Sequence, residues 1–217
     1  MKAFIICGYG IPADGQETEN YRTYLNVAFN QMYELAQFEP ALVIPSGGPT
    51  NCTPPFEGTE AEHVGRWIGE RFKRAEEATK EWEIVLEDQA LSSPENLLYA
   101  KDLLDARGFE GEIVVFCEFV RRNRMQLYAN EVFGEAEVIA IDFDSSSNRY
   151  QPKEKVELLL EKQIEADLPI IKNPDLRAEH HAFYEKKLEM LRKWQQEGMT
   201  HEAAVKRWWD EYIARRN

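Results

Sequence analysis

The chain has 217 residues, 43% hydrophobic and 30% charged, a globular composition that sets intrinsic disorder aside and suits one sizeable α/β domain with an appendage. Its 39 acidic and 26 basic side chains leave a formal charge of −13, a field that repels a phosphodiester backbone and makes nucleic acid a poor partner. No window approaches the roughly 18 apolar residues of a membrane span, and the opening MKAFIICGYG has too short an apolar run for a secretion signal, so a cytoplasmic location is expected.

Residues 2 to 7, KAFIIC, form a nearly continuous apolar run before Gly8-Tyr9-Gly10, the pattern of a strand buried on both faces and ending in a permissive loop. The loop to Asn20 holds Pro12, Asp14 and Gly15, and the spacing of Leu25, Phe29, Met32, Leu35 and Ala36 predicts a helix from about Tyr21 to Gln37. Arg22, in its first turn, opposes the helix dipole and calls for an acidic compensator. A second strand, Ala41 to Ser46, stops abruptly at Ser46-Gly47-Gly48, and a helix resumes from about Thr59 to Thr79. Glycines at 47 and 48 are expected to leave the backbone amides bare, a disposition that suits an anion. Thr59 and Glu62 have capping-box spacing, which leaves Glu60 as the acid open to function.

Trp82 to Glu87 reads as the third strand, followed by Ser93 as a cap and Pro94 at the first position of a helix that stops at Gly108. Glu112 to Cys117 is the plainest strand, since Ile113, Val114, Val115 and Phe116 are consecutive. A helix through EFVRRNRMQLYANEVFG ends at Gly134, and Ala136 to Ile141 is the fifth strand. Strands alternating with helices predict a three-layer α/β/α Rossmann-like domain with a mostly parallel five-stranded sheet and a C-terminal helical extension. The polar stretch 144 to 152 divides the domain, residues 1–150, from the extension, residues 151–217. Helical patterns cover 153 to 167, 175 to 197 and 201 to 215. Val205, Trp208, Trp209, Tyr212 and Ile213 make a stripe matched by Phe183, Leu188, Leu191 and Trp194, for which docking on the chain's own core, a homodimer interface and a lid over a ligand are the three readings.

Three cysteines without paired or metal-ligand spacing fit a reducing compartment. Cys7 and Cys117 read as small buried apolar residues, and Cys52 as the more exposed thiol.

In a parallel α/β sheet functional groups gather beyond the carboxyl ends of the strands, and the unusual polar residues here all follow strands. Gly8, Gly10 and Asp14 follow the first; Ser46, Gly47, Gly48 and Glu60 the second; Glu87, Ser93 and Asn96 the third; Arg121 and Arg124 the fourth. The two arginines are one helical turn apart, so both guanidinium groups can hold a phosphate or carboxylate. Asp14, Glu60 and Glu87 suit metal ligands, a general acid and base, or acceptors for ribose hydroxyls or an amine, and their types alone do not choose. Ser46 lacks G-x-S-x-G surroundings, Gly8-Tyr9-Gly10 lacks the third glycine of the dinucleotide fingerprint, and Ser46-Gly47-Gly48 lacks the lysine of a P-loop.

This ordered set resembles the YdcF/SanA/ElyC-type family of bacterial proteins over about Ala3 to Ile141. The resemblance rests on Gly8-x-Gly10, Pro12 to Gly15, Arg22, Ser46-Gly47-Gly48, Thr59-Glu60-Ala61, and Glu87 followed by Ser93, Glu95 and Asn96. After the fourth strand the family typically shows Thr-Ser, then histidine and, three residues later, arginine. Here Cys117-Glu118 replace the hydroxyl pair and Arg121 the histidine, while Arg124 matches. An arginine cannot exchange protons as a histidine does, which removes any acid-base role tied to that position. The resemblance implies a Rossmann-like domain with a small-molecule site at the strand ends, and S-adenosylmethionine binding has been attributed within the family.

The expectation is a small-molecule-binding protein whose ligand is anionic or nucleotide-like, touched by Gly8, Gly10, Asp14, Arg22, Ser46, Gly47 and Gly48 and by Glu60, Glu87, Ser93, Asn96, Arg121 and Arg124. As an enzyme it would transfer or hydrolyse a phosphate-bearing group, with Glu60 or Glu87 as base and Mg²⁺ at Asp14. The alternatives are an S-adenosylmethionine-binding or methyltransferase-like protein, and an interaction module built on the Trp-rich C-terminal helices.

Overall fold

The computed structural model describes residues 1–8, 19–51, 54, 56–75, 77, 79–142 and 153–216, the backbone alone at 20, 153–162 and 212–216. Five strands, β1 (Lys2–Cys7), β2 (Ala41–Ser46), β3 (Trp82–Ile84), β4 (Glu112–Glu118) and β5 (Glu137–Ile141), form an all-parallel sheet in the order β3-β2-β1-β4-β5. Side chains alternate across it. Phe4, Ile6, Val43, Val114 and Phe116 pack under α1 (Glu19–Ala36) and α2 (Glu60–Arg74). Ala3, Ile5, Cys7, Leu42, Ile44 and Val115 pack on the other face under α3 (Ser93–Ala106) and α4 (Arg122–Phe133), joined by Ile171 of α5 (Lys153–Lys172). Burial on both faces is why the central strands read as unbroken apolar runs.

The chain winds outward from β1 through β2 to β3, then returns beside β1 as β4. The order of winding therefore reverses between β1 and β4, and the carboxyl ends of those two parallel strands flank a crevice.

Several boundaries differ from the expectation. The third strand is short: the chain leaves the β2 edge after Ile84 and touches it again only at Glu87, bridged to Ser46. The α2 helix ends at Arg74, not Thr79. The α3 helix begins at Ser93 with Ser92 in the capping position, one residue earlier than the Pro94 pattern suggests. The α5 helix runs to Lys172 through Pro169, past the stop at 167, before Asn173 caps α6 (Pro174–Gln196). The α6 and α7 (His201–Arg216) helices form a hairpin turned at Gly198, whose φ of +96° only glycine adopts easily. Leu188, Leu191 and Trp194 of α6, Ala204 and Trp208 of α7 and Leu91 of the β3–α3 loop make a third apolar cluster. These residues of the hairpin thus pack on one another and on Leu91 of the domain. Among the described residues no helix is long and apolar enough to cross a membrane. The polar boundary 144 to 152 lies outside the described residues.

Candidate functional site

A cavity of about 430 Å³ opens at the carboxyl rim of the sheet, between the strand ends and the C-terminal helices. Gly8, Glu60, Ser93, Asn96, Arg121 and Arg124 line its inner wall, so four separate turns of the chain meet there. They arrive from the end of β1, the first residue of α2, the start of α3 and the β4–α4 turn. Parallel strands of matched register force this convergence, because every strand delivers its following loop to the same rim.

Arg121 and Arg124 are 4% and 8% exposed, far less than a solvated arginine, and both reach the cavity. A 3-10 turn, Phe119–Arg121, lets Arg121 fold back so that Nη2 donates to Gly8 O at 3.1 Å while Nε lies 3.2 Å from Glu118 Oε2. Glu118 is buried beside it, and the pair fixes the guanidinium at the crevice between β1 and β4. Arg124 donates through Nη1 to Gln163 Oε1 of α5. Asp167, also on α5, accepts from Tyr128 OH at 2.6 Å. Burial pushes the Asp167 carboxyl above its usual range, opposed by Tyr128 and by the Arg124 charge.

Glu60 lines the same cavity as these arginines. Its Oε1 accepts from Thr50 Oγ1, and its side chain lies on two glycines: a Cβ at Gly8 or Gly47 would sit 2.6 or 2.7 Å from Glu60 Cβ. Those glycines make room for the carboxylate, the physical need behind their position.

The expected bare amides are not found. Gly47 N donates to Glu87 O at 2.9 Å and Gly48 N to Ala90 O at 2.6 Å. Their carbonyls point the other way and close the start of α2, accepting from Ala61 N at 2.8 Å and Glu60 N at 3.1 Å. Thr59 and Glu62 complete the capping box, so this helix terminus offers no amides to an anion. Ser46, fully buried, donates from Oγ to Glu87 Oε2 at 2.5 Å and lies beneath the rim. Glu87 is 3% exposed, and its Oε1 accepts from Gln89 N at 2.8 Å and Ala90 N at 2.9 Å. Glu87 thus braces the β3–α3 loop and is not among the residues that line the cavity. Burial raises its carboxyl, as it does that of Glu95. Arg22 is separated from Arg121 and Arg124 and lines a groove between α1 and α2. Gly10, Asp14 and Cys52 lie outside the described residues. Cys7 and Cys117 are buried, and burial pushes their thiols up to about 12 and about 11, which leaves them protonated.

The outer wall was not foreseen residue by residue. Asp167, Tyr184, Lys187, Leu188, His201 and Trp209 come from α5, α6 and α7. Lys187 Nζ lies 5.4 Å from the Tyr184 ring centroid and 5.1 Å from that of Trp209, a cation held between two aromatic side chains. Trp208, only 8% exposed, packs inward, whereas Trp209 keeps 41% exposure at the mouth. Arg192 of α6 donates from Nε to Asn51 O at 3.1 Å and from Nη2 to Pro49 O, tying the hairpin to the β2–α2 loop. His181 of α6 meets buried Glu95 at 3.3 Å and Tyr99 at 3.4 Å on α3.

The arrangement is a partly enclosed mouth whose inner wall carries two arginines and a carboxylate and whose outer wall carries aromatic and aliphatic groups. It can hold an anionic group by charge-assisted hydrogen bonds while Glu60 and Asn96 accept from hydroxyls or an amine. Among the described residues no group of three or more His, Cys, Asp or Glu side chains is placed to hold a metal ion. No family model, curated protein or solved structure matches the chain.

Proposed function

We propose that this protein binds an anionic or nucleotide-like metabolite in the strand-end cavity. The observation that carries this is the pair Arg121 and Arg124, both nearly buried, one helical turn apart and lining one cavity beside the crevice between β1 and β4. Buried guanidinium groups facing a cavity supply strong, directional sites for phosphate or carboxylate. Tyr184 and Trp209 at the outer wall suit the flat face of a base or another aromatic group. The resemblance to YdcF-type proteins supports the same reading, because Glu60, Ser93, Asn96 and Arg124, each part of that resemblance, share this cavity. Binding is favoured over proton transfer at position 121, since Arg121 is held by Glu118 and keeps its charge. If turnover occurs, Glu60 is the base of a transfer or hydrolysis at a phosphate-bearing substrate, with Glu87 engaged elsewhere.

A thermal-shift screen over nucleotides, sugar phosphates, S-adenosylmethionine and divalent cations tests this. A ligand that raises Tm in the wild type should lose its effect in Arg124→Ala/Glu60→Ala, with the circular dichroism unchanged. An undiminished shift in the double variant removes the cavity from consideration.

A further inference from the structure

A second basic surface lies on the helices of the opposite layer and takes no part in the strand-end cavity. A groove of about 510 Å³ runs between α1 and α2. The α2 helix presents His63, Arg66, Trp67, Glu70, Arg71 and Arg74 to it, steps of three and four residues that keep all six on one face. Arg22 and Asn26, one turn apart on α1, form the other wall. Four arginines therefore meet in one groove of a chain that carries 39 acidic against 26 basic residues. Composition alone would make such a face acidic.

Among the described residues the lining carries four arginines against one carboxylate. Glu70, its one acidic lining residue among the described residues, accepts from Lys73 Nζ at 2.6 Å. Among the described residues neither Arg66 nor Arg74 has a carboxylate within ion-pair distance. Arg71 is held in place: Nη2 donates to Asn26 Oδ1, and its guanidinium lies 4.9 Å from the Trp67 ring centroid. A fixed guanidinium loses less freedom on meeting an anion than a solvated one. His63 stacks on Tyr21 with centroids 5.1 Å apart and rings inclined by 8°, and its buried Nε2 has no hydrogen-bond partner among the described residues. Burial and the Arg66 charge hold the His63 imidazole below its usual value, so it is neutral near pH 7.

Size selects the ligand class. Arg66 and Arg74 are eight residues apart, about 12 Å along the axis at about 1.5 Å per residue. Orthophosphate would reach one end of that row, whereas a chain of two or three phosphates would extend along it. We propose that the α1–α2 groove binds a small linear polyanion of the di- or triphosphate class, independently of the strand-end cavity.

Calorimetric titration of the full chain with inorganic tripolyphosphate tests this, with orthophosphate and poly-aspartate as comparisons. Wild type should bind tripolyphosphate more tightly than orthophosphate, and added salt should weaken the affinity. Arg66→Gln/Arg74→Gln, both at exposed positions, should weaken this binding by roughly tenfold or more, because each substitution removes a charge-assisted bond. Arg124→Ala should leave it unchanged, and in the wild type the His63 titration followed by NMR should move upward on saturation. Absence of heat, equal affinity in the groove variant, an unmoved His63, or binding lost in Arg124→Ala would each overturn the proposal. Heat from poly-aspartate without heat from tripolyphosphate would replace the small polyanion with an acidic peptide and overturn it too.

Discussion

Replacing Glu87 separates a carboxylate that shapes a loop from one that serves a ligand. Its side chain accepts three hydrogen bonds, from Gln89 N, Ala90 N and Ser46 Oγ. In Glu87→Ala the Ala90 amide, in a residue only 1% exposed, loses its acceptor, at a cost of about 1–3 kcal/mol. Gln89 is an exposed residue, and Ser46 Oγ can turn fully to Asn96 O at 3.1 Å, so these two losses should be smaller. Removing the buried carboxylate returns part of its desolvation penalty, and the net expectation is a loss of about 2–4 kcal/mol. With a urea m-value of about 2 kcal/mol/M, the midpoint should fall by about 1–2 M. Glu87→Gln keeps an oxygen for both amides and a donor for Ser46 Oγ, and should cost under about 1 kcal/mol. The two variants should also differ in pH dependence. Burial raises the folded-state pKa of Glu87 above its unfolded value, so the wild type gains on Glu87→Gln as pH falls toward about 4.5 and loses that gain as pH rises through the folded value. The reasoning fails if Glu87→Gln is as unstable as Glu87→Ala. It also fails if Glu87→Ala unfolds like the wild type while ligand-induced stabilisation disappears.

Gly48→Ala should destabilise by about 1–3 kcal/mol, because the new Cβ would lie 2.7 Å from the Ala90 carbonyl oxygen and 2.9 Å from Gln89 C, backbone atoms that cannot swing aside. Denaturant unfolding reads this directly, and a change under about 0.5 kcal/mol would show that the two loops are not locked together. His180, pushed down to about 4 by burial and by neighbouring His181, should make stability pH-dependent. Its unfolded-state imidazole takes a proton near pH 6.5 while the native one resists, so its contribution is complete above about 6.5 and lost as pH falls toward 4. Wild type should therefore lose stability relative to His180→Asn over that window, and parallel pH curves would contradict it.

The parts of this fold that were legible in the sequence are those whose physics is local. The β1 and β2 boundaries agree with expectation to the residue, because two-sided burial writes a continuous apolar run that ends where the chain leaves the sheet. The meeting of Glu60, Asn96 and Arg124 followed from strand direction alone. The direction of the Gly47 and Gly48 peptides did not, since glycine permits either orientation and partners distant in the chain, Glu87 and Ala90, decide it. The placement of Glu87 was hidden for a related reason: a carboxylate after a strand looks alike whether it faces a cavity or the amides of its own loop. Arg22 belongs to the rim by position but is carried round to the α1–α2 groove. The helical stripe of Val205 and Trp208 announced that α7 packs, but not against what, so Lys187, His201 and Trp209 could not be assigned to the cavity beforehand.

Arg192 gives the C-terminal hairpin a grip on the backbone that carries Thr50, the hydroxyl in contact with Glu60. Displacing α6 would therefore disturb the inner acid as well as the outer wall, and an engineer grafting foreign helices onto this sheet would retune the pocket floor without altering one residue there. The shape and chemistry of the cavity wall are, in that sense, inherited jointly from distant parts of the polypeptide.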